Sequence, residues 1–362
     1  MSDIEIMKGN EALAEAAIRA GCRAYFGYPI TPQSEILEYL ADEGRRRGMI
    51  VLQAESEVAS INMVYGAAGA GARVMTSSSS PGVSLMMEGI SYIASAELPC
   101  LLVNVSRGGP GLGTIQPSQG DYFQAVKGGG HGDYRLIVLA PSSVQEMADF
   151  VYRAFDLADK YRAPVMILAD GALGQMMEKV RFPDYDPAEH VVPKPWATTG
   201  KTPDRARNII TSLHIETEQM EQINIRLQDK YRLIAERETR WEEVQTADAE
   251  WLIVAYGLAA RIAHRAVDLV RARGIRAGLL RPITLFPYPS KPLAALAGRV
   301  RGMLTVEMNA GQMVEDVRLA VNGRVPVSFY GRMGGIIPSP DEVVSALQKM
   351  VAQDVLTETE AN

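Results

Sequence analysis

The sequence is poor in cysteine and histidine, with two cysteines and four histidines among its 362 residues. Cys22 and Cys100 lie in apolar stretches, which is typical of buried, reduced thiols in a cytoplasmic protein. An iron–sulfur cluster requires about four cysteine ligands, so this chain by itself cannot hold one. The histidines are far apart and lack metal-binding spacings such as HExxH. The chain alone therefore predicts neither a cluster nor a histidine metal site.

Several other signatures are absent. The sequence contains neither the GxSxG turn of hydrolases nor the GxxxxGK[ST] loop that binds nucleotide phosphates. No apolar run approaches the roughly 18 residues of a membrane span, and the acidic, polar start MSDIEIMKGNEAL does not resemble a signal peptide. A net charge of −6 makes nucleic acid an unsuitable partner. We therefore expect a cytoplasmic protein, without membrane or nucleic-acid partners, whose chemistry depends on a cofactor or on another chain.

Residues 1–182 alternate between short apolar segments and helical segments. This alternation predicts an α/β domain with a parallel sheet covered on both faces. In such sheets ligands bind at the carboxyl ends of the strands. The predicted strands are AYFGYP (24–29), MIVLQAE (49–55), ARVMTSSSS (72–80), CLLVNVSR (100–107), YRLIVLAP (134–141) and PVMILAD (164–170).

The rest of the chain divides into a connection and a second block. Residues 183–248 are first rich in proline and aromatic residues and then strongly charged, which indicates a linker that carries one exposed amphipathic helix. Its loosely periodic apolar residues are Ile223, Ile225, Leu227, Tyr231, Ile234 and Trp241. Residues 249–362 again alternate between strand-like and helical segments, and they predict a second, smaller α/β domain.

The first predicted strand ends at Tyr28 and Pro29, followed by Ile30, Thr31 and Pro32. One interpretation is a helix N-cap, with Thr31 as the cap and Pro32 in the first helical position. That interpretation leaves Pro29 and Tyr28 unexplained. The alternative is that the two prolines fix the Thr31 hydroxyl for a ligand.

The second predicted strand leads through QAESE into a helix of small and apolar residues. An acidic residue there stabilises a helix N-terminus through the macrodipole. However, a carboxylate at the mouth of a buried helix is also partly desolvated, which makes Glu57 a functional candidate. We expect Glu55 to have a mainly structural role.

The next two strand ends are rich in hydroxyl groups and in glycine. Residues 76–80 read TSSSS and offer hydroxyls and backbone N–H groups to an anion or a carbonyl. Alternatively, Ser80 is a helix N-cap and Pro81 the first helical residue. Arg107 leaves an apolar strand into a glycine-rich loop, where it is either a clamp for a carboxylate or a solvated surface side chain.

Taken in order, these segments resemble the alpha subunit of 2-oxoacid:ferredoxin oxidoreductases. The resemblance rests on GYPITP, QAESE, TSSSSPGVSLMMEG, VSRGGPGLG and KGGGHGDYRLIVLAPSSVQEM, and in the second block on LLRPITLFPYP, VEMNAGQM and GRMGGIIPSPDEV. It covers nearly the whole chain. KGGGHGDYR and ADKYRAPVMILADGALGQM are most similar to the branched-chain, or 2-oxoisovalerate, type.

The resemblance implies a thiamine-diphosphate pyrimidine-binding domain followed by a transketolase-C-terminal-like domain. It further implies oxidative decarboxylation of a 2-oxoacid, with coenzyme A as co-substrate and ferredoxin as electron acceptor. A beta subunit would bind the diphosphate and Mg²⁺ and carry a [4Fe–4S] cluster. A gamma subunit and a ferredoxin-like subunit with further clusters would complete the complex.

The resemblance also assigns roles to residues. Glu57 would hydrogen-bond a ring nitrogen of the aminopyrimidine and so activate the cofactor. Arg107 would neutralise the carboxylate of the 2-oxoacid, and Thr31 would donate a hydrogen bond to the substrate. The other expected cofactor contacts are Tyr28, Pro29, Ser79 and Ser80.

Two departures from the family pattern leave alternatives open. The family usually has glycine where Ser80 stands, which allows a structural or regulatory subunit with a degenerate thiamine site. The loop LGTIQPSQGD lacks the basic residue that relatives acting on 2-oxoglutarate often have, which favours an apolar, branched monocarboxylic substrate. Lys127 could reverse that preference, so a 2-oxoglutarate enzyme is the alternative. A relative with a different electron acceptor would leave no mark in this sequence.

Overall fold

The computed structural model describes residues 4–190 and 192–361, which form fourteen strands and twelve α-helices. The strands are β1 (Ile4–Lys8), β2 (Ala24–Gly27), β3 (Ile50–Gln53), β4 (Val74–Ser78), β5 (Cys100–Ser106), β6 (Ile137–Leu139), β7 (Pro164–Asp170), β8 (Met177–Arg181), β9 (Trp241–Val244), β10 (Trp251–Val254), β11 (Ala277–Pro282), β12 (Thr284–Phe286), β13 (Gly302–Glu307) and β14 (Val327–Gly331). The helices are α1 (Gly9–Arg19), α2 (Ser34–Tyr39), α3 (Glu57–Gly69), α4 (Ser80–Ser95), α5 (Tyr122–Val126), α6 (Val144–Tyr161), α7 (Gly171–Gln175), α8 (Thr217–Glu238), α9 (Gly257–Arg271), α10 (Ser290–Ala297), α11 (Met313–Val321) and α12 (Pro340–Ala361).

A seven-stranded sheet forms the first half of the molecule, with the strand order β12-β6-β7-β5-β4-β2-β3. Six of these strands are the predicted ones and run parallel to their neighbours. The seventh, β12, was not predicted; it comes from the second half of the chain and pairs antiparallel with β6. A three-residue strand is too short to produce a periodicity in the sequence. The α/β fold with a parallel sheet is confirmed.

A five-stranded sheet with the order β14-β13-β10-β11-β9 forms the second half. Strands β10, β11, β13 and β14, which lie in the predicted second α/β domain, are parallel, and β9 is antiparallel to β11. The assignment of Trp241 to the periodicity of the amphipathic helix is wrong, because Trp241 begins β9. The helix ends at Glu238 because Thr239 takes an extended conformation, with φ −62° and ψ 126°. Strands β1 and β8 form a separate antiparallel pair outside both sheets, and the sequence did not predict them.

The amphipathic helix α8 is more tightly held than expected. Ile223, Leu227, Tyr231 and Ile234 form a buried stripe, while Ile225 is 47% exposed and lies off that stripe. Glu97 fixes the polar side of the helix, because its carboxylate pairs with Arg226 at 2.6 Å and with Lys230 at 2.9 Å. The helix is therefore part of the packed body rather than an exposed linker element.

Both cysteines are free and buried, as predicted. Burial raises the pKa of the Cys22 thiol to about 12, so this group stays protonated and unreactive at neutral pH. Among the described helices, none combines the length and the apolar composition needed to cross a membrane.

The topology brings the predicted site segments to one edge of the large sheet. Strands β5, β4, β2 and β3 are consecutive neighbours and parallel, so their carboxyl ends lie side by side. Thr31 follows β2, Glu57 follows β3, Ser79 follows β4, and Arg107 follows β5. The sequence therefore places all four on the ligand-binding edge of a parallel sheet.

Candidate active site

Glu57 is a buried carboxylate at the start of a helix. It is the first residue of α3, and Ser56 caps this helix by accepting a hydrogen bond from Ala59 N at 3.2 Å. The Glu57 side chain is only 5% exposed. No described residue donates a hydrogen bond to its carboxylate, although a buried carboxylate normally has donors. Glu57 is thus placed to accept a hydrogen bond from a bound molecule.

Gly82, in the first turn of α4, allows the side chains of Glu57 and Ser78 to pack directly against its Cα. A Cβ atom at this position would overlap with Glu57 Oε1 and with Ser78 Oγ. The buried hydroxyls of Ser78 and Ser79 have no hydrogen-bond partner among the described residues. The Glu57 carboxylate and these two hydroxyls are polar groups that a heteroaromatic ring such as an aminopyrimidine could satisfy.

The Thr31 segment forms a turn rather than a helix cap. Helix α2 begins at Ser34 with Gln33 as its N-cap, so the interpretation of Thr31 as cap and Pro32 as first helical residue is wrong. The side chain of Thr31 is exposed, and its hydroxyl makes no hydrogen bond to the described part of the chain. That hydroxyl is therefore not used by the helix.

Hydrogen bonds to main-chain carbonyls hold this turn in place. Gln33 is fully buried, and its amide donates to Tyr28 O at 3.1 Å while its oxygen accepts from Ser77 Oγ at 2.6 Å. Asn10 Nδ2 donates to the carbonyl of Pro32 at 2.7 Å. The predicted cofactor contacts Tyr28 and Pro29 both lie at the exposed side of this turn. The neighbouring elements, as well as the prolines, thus fix Thr31.

Arg107 is buried, with 7% exposure, so the interpretation as a solvated loop residue is wrong. Its Nη1 donates to Thr31 O at 2.8 Å, and its Nη2 donates to Leu112 O at 2.9 Å. Its Nε has no partner among the described residues. The structure therefore joins the Thr31 turn directly to a guanidinium that keeps unused N–H groups.

Helix α4 begins one residue earlier than predicted. Ser79 is the N-cap of α4 and Ser80 its first residue, so the alternative with Ser80 as cap and Pro81 as first helical residue is wrong. The Ser80 hydroxyl lies 2.6 Å from Asp121 Oδ2 and accepts the N–H of Arg107 at 3.0 Å. The glycine that controls the space at Glu57 is Gly82, two residues further along.

Lys127 has a structural partner. Its ammonium group pairs with Asp316 of α11, which also accepts a hydrogen bond from Tyr122 Oη at 2.6 Å. Helix α5 is thereby tied to the second half of the molecule. Lys127 is thus not a free cation for a ligand.

Sequence reasoning missed four residues of this region, namely Gln33, Gly82, Asn104 and Asp121. Two of them carried a signal. Asn104 interrupts the apolar sequence of β5, where a buried polar side chain requires partners. Gly82 stands in the first turn of a helix, where glycine is costly and marks a close approach. Gln33 and Asp121 have no comparable signal, because their partners are distant in the sequence.

The sequence matches two family models that together cover most of the chain. Residues 15–245 match "Pyruvate flavodoxin/ferredoxin oxidoreductase, thiamine diP-bdg". Residues 249–343 match "Pyruvate:ferredoxin oxidoreductase core domain II".

Curated relatives extend over almost the whole chain. Ketoisovalerate oxidoreductase subunit VorB of Methanothermobacter thermautotrophicus is 51% identical over 346 residues, which are 96% of this chain and 97% of that protein. The 2-oxoglutarate synthase subunit KorA of the same organism is 39% identical over 375 residues, with 97% and 100% coverage.

A solved structure has a similar fold. It is the 2-oxoglutarate:ferredoxin oxidoreductase from Magnetococcus marinus with 2-oxoglutarate, coenzyme A and succinyl-CoA bound, with a TM-score of 0.85 and 28% identity. The similarity covers 96% of this chain and 65% of that one, so this chain spans just under two thirds of its length.

Proposed function

This chain belongs to the 2-oxoacid:ferredoxin oxidoreductase family, as an alpha-type subunit that acts within a complex, and we propose that it supplies the pyrimidine-activating and substrate-binding residues for oxidation of a branched-chain 2-oxoacid. The observation that supports this most strongly is the buried, unpartnered Glu57 carboxylate beside Gly82, at the same sheet edge as Arg107. The family model that matches the first half is that of a thiamine-diphosphate-binding domain.

Glu57 would hold a proton at the ring nitrogen of the aminopyrimidine. When bound, thiamine diphosphate supplies the carbon nucleophile for the 2-oxo group and accepts the electron pair left by CO₂. The burial of Glu57 would strengthen its hydrogen bond to the ring, because the side chain is largely withdrawn from water. The Glu57 side chain is buried, and no described residue donates to its carboxylate, which leaves the carboxylate available for that bond.

Arg107 and Thr31 would bind the carboxylate of the substrate. A buried guanidinium with a free Nε is a strong donor to a carboxylate. Its hydrogen bond to Thr31 O supports a shared role, because it joins the guanidinium to the residue that carries the exposed hydroxyl. The Arg107 guanidinium and the Thr31 main chain are held before the substrate arrives, which would reduce the cost of ordering them.

We propose an apolar, branched monocarboxylic substrate such as 2-oxoisovalerate rather than 2-oxoglutarate. The loop that follows Arg107, residues 108–121, contains no lysine or arginine. The nearby cations are already paired, Lys127 with Asp316 and Arg332 with Glu342. A second carboxylate would therefore lack a counter-charge from these segments. The higher identity to the relative named ketoisovalerate oxidoreductase agrees with this assignment.

Other parts of the reaction belong to partner subunits in this proposal. Two buried cysteines fall short of the four ligands of a cluster. As the family resemblance implies, a beta subunit would carry the [4Fe–4S] cluster, together with Mg²⁺ and the diphosphate site. Gamma and ferredoxin-like subunits would complete the path to ferredoxin. Coenzyme A, which is bound in the similar structure from Magnetococcus marinus, would take the acyl group.

An apolar surface at the site supports the docking of a partner subunit. The loop that follows Arg107 packs against the second domain, since a Cβ atom on Gly108 would lie 3.0 Å from Gly335 N. Both segments expose large apolar side chains, which monomers seldom cluster on their surface. These side chains are Leu112 (81% exposed), Ile115 (55%), Met333 (60%), Ile336 (49%) and Ile337 (42%).

A panel of 2-oxoacids tests the substrate assignment. The complex, purified with its partner subunits, should reduce methyl viologen fastest with 2-oxoisovalerate and other branched 2-oxoacids in the presence of coenzyme A. We expect kcat/KM for 2-oxoglutarate to be at least about tenfold lower, because its second carboxylate would be buried without a counter-charge. Faster turnover of 2-oxoglutarate would contradict the assignment.

A further inference from the structure

A closed hydrogen-bond network joins Arg107 to a carboxylate that the proposed chemistry does not use. Asp121 Oδ2 lies 2.6 Å from Ser80 Oγ and accepts from Asn104 Nδ2 at 2.9 Å. Asn104 Oδ1 accepts the main-chain N–H of Ser80 at 3.1 Å. Ser80 Oγ in turn accepts the N–H of Arg107 at 3.0 Å. The main chain at Arg107 is therefore connected to Asp121 through the Ser80 side chain.

Asp121 determines the direction of this network. A serine hydroxyl has a single proton, and an ionised carboxylate can only accept. If the Ser80 hydroxyl donates its hydrogen bond to Asp121, the lone pairs of Ser80 Oγ can accept the N–H of Arg107. Without Asp121 the hydroxyl could rotate towards the carbonyl of Arg107, which lies 3.2 Å away. The carboxylate thus keeps Ser80 in the role of acceptor for Arg107.

The same network supports an unusual backbone conformation. Ser80 has φ +21°, in the region that residues with a Cβ atom rarely adopt. Such a conformation persists when surrounding contacts hold it, and here both the N–H and the hydroxyl of Ser80 are bound. A glycine at this position would adopt the conformation more readily but would lack the hydroxyl that reaches Arg107.

The second domain fixes the segment that carries Asp121. The Gln119 amide donates to Tyr256 O at 2.8 Å, and its oxygen accepts from Met308 N at 2.9 Å. Asn309 Nδ2 donates to Gln119 O at 2.9 Å, and Gln312 Nε2 donates to Gly120 O at 2.8 Å. Asp121 is consequently held by contacts from β13 and from the start of α9 and α11.

We propose that Asp121 is a positioning residue for Arg107, acting through Ser80, and that the second domain sets its place through Gln119. This inference rests on the proposed role of Arg107 in binding the substrate carboxylate. The serine that departs from the expected glycine would then be a working part of the substrate site rather than a sign of a degenerate one.

The test measures steady-state kinetics of the assembled complex with 2-oxoisovalerate. Asp121→Ala should raise KM for the 2-oxoacid about tenfold, because it removes a hydrogen bond to a charged group, and should leave KM for coenzyme A unchanged. Asp121→Asn keeps an oxygen that accepts from both Ser80 and Asn104, so KM should return to within about threefold of the wild-type value. Asp133→Ala, which alters an exposed aspartate of the same domain, is the matched control and should have no effect.

Combination with Arg107→Lys separates this inference from the proposed function. Arg107→Lys alone should raise KM for the 2-oxoacid, and adding Asp121→Ala should then change KM by less than about twofold, since the residue it positions has been altered. If the KM increases of Arg107→Lys and Asp121→Ala multiply in the double variant, the positioning role is overturned. A normal KM in Asp121→Ala would overturn it as well. A normal KM in Arg107→Lys would instead overturn the proposed function and this inference with it. If the complex with Asp121→Ala fails to assemble, Ser80→Ala replaces it. Ser80→Ala should give the same KM increase alone and less than about a twofold change in KM when it is added to Arg107→Lys.

Discussion

At the scale of single residues, Gly82 decides how much room lies beside the Glu57 carboxylate. We expect Gly82→Ala to lower turnover about 100-fold, since misplacing a reacting group by about 1 Å has effects of that size. The added Cβ would overlap with Glu57 Oε1 and Ser78 Oγ. The measurement is 2-oxoacid-dependent viologen reduction at increasing concentrations of thiamine diphosphate, whose apparent affinity should also fall.

Gly66→Ala is the matched control for this change. Gly66 also lies in a helix, α3, but it is exposed, and a Cβ atom there would meet nothing within 4 Å. Its replacement should leave turnover and cofactor affinity unchanged, with stability equal or slightly higher. Equal losses in both variants would show that crowding at Glu57 is not the cause.

At the scale of elements, helix α8 shows that two residues that fit the same sequence periodicity can differ in burial. Ile225 and Ile234 both fit a loose helical periodicity, yet Ile234 is fully buried and Ile225 is 47% exposed. Ile234→Ala should lower the free energy of unfolding by about 2–4 kcal/mol because it leaves a cavity. Ile225→Ala should change it by less than about 0.5 kcal/mol. Urea unfolding of the isolated chain measures both, and similar values would contradict the packing of α8.

The short helix α7 gives a prediction about pH. Asp170 caps this helix by accepting from Ala172 N at 2.9 Å and Leu173 N at 3.1 Å. Its burial raises the pKa of the carboxyl to about 6, from 3.8, despite these two donors. A carboxyl that binds its proton more tightly in the folded state favours folding below about pH 4, and this contribution is lost as the pH rises through 6.

Asp170→Asn isolates that contribution, because an amide oxygen can still accept both N–H groups. Between pH 4 and pH 7 the free energy of unfolding of the Asn variant, minus that of the wild type, should increase by up to about 3 kcal/mol. Urea unfolding at several pH values would check this trend. A difference that does not change with pH would mean that Asp170 titrates normally in the folded protein.

At the scale of the whole molecule, most of the parallel sheet could be predicted, because buried parallel strands are short apolar segments between helices. The sequence also placed Thr31, Glu57 and Arg107 at one edge of the sheet. It could not provide β12, which joins the first sheet from the second half of the chain. Nor could it provide Asp121, whose function depends on contacts over 17 and 41 residues. Long-range contacts between polar side chains leave no periodicity to detect.

The central claim is that this chain supplies the carboxylate that activates the cofactor of the complex. The chain itself offers the comparison, because Glu55 is an exposed glutamate two residues before the buried Glu57. The measurement is 2-oxoisovalerate-dependent reduction of methyl viologen by complexes that contain Glu57→Gln or Glu55→Gln, both saturated with thiamine diphosphate. We predict a loss of at least about 100-fold for Glu57→Gln and a change of less than about twofold for Glu55→Gln. Near-normal turnover in Glu57→Gln, or an equal loss in both variants, would contradict the account.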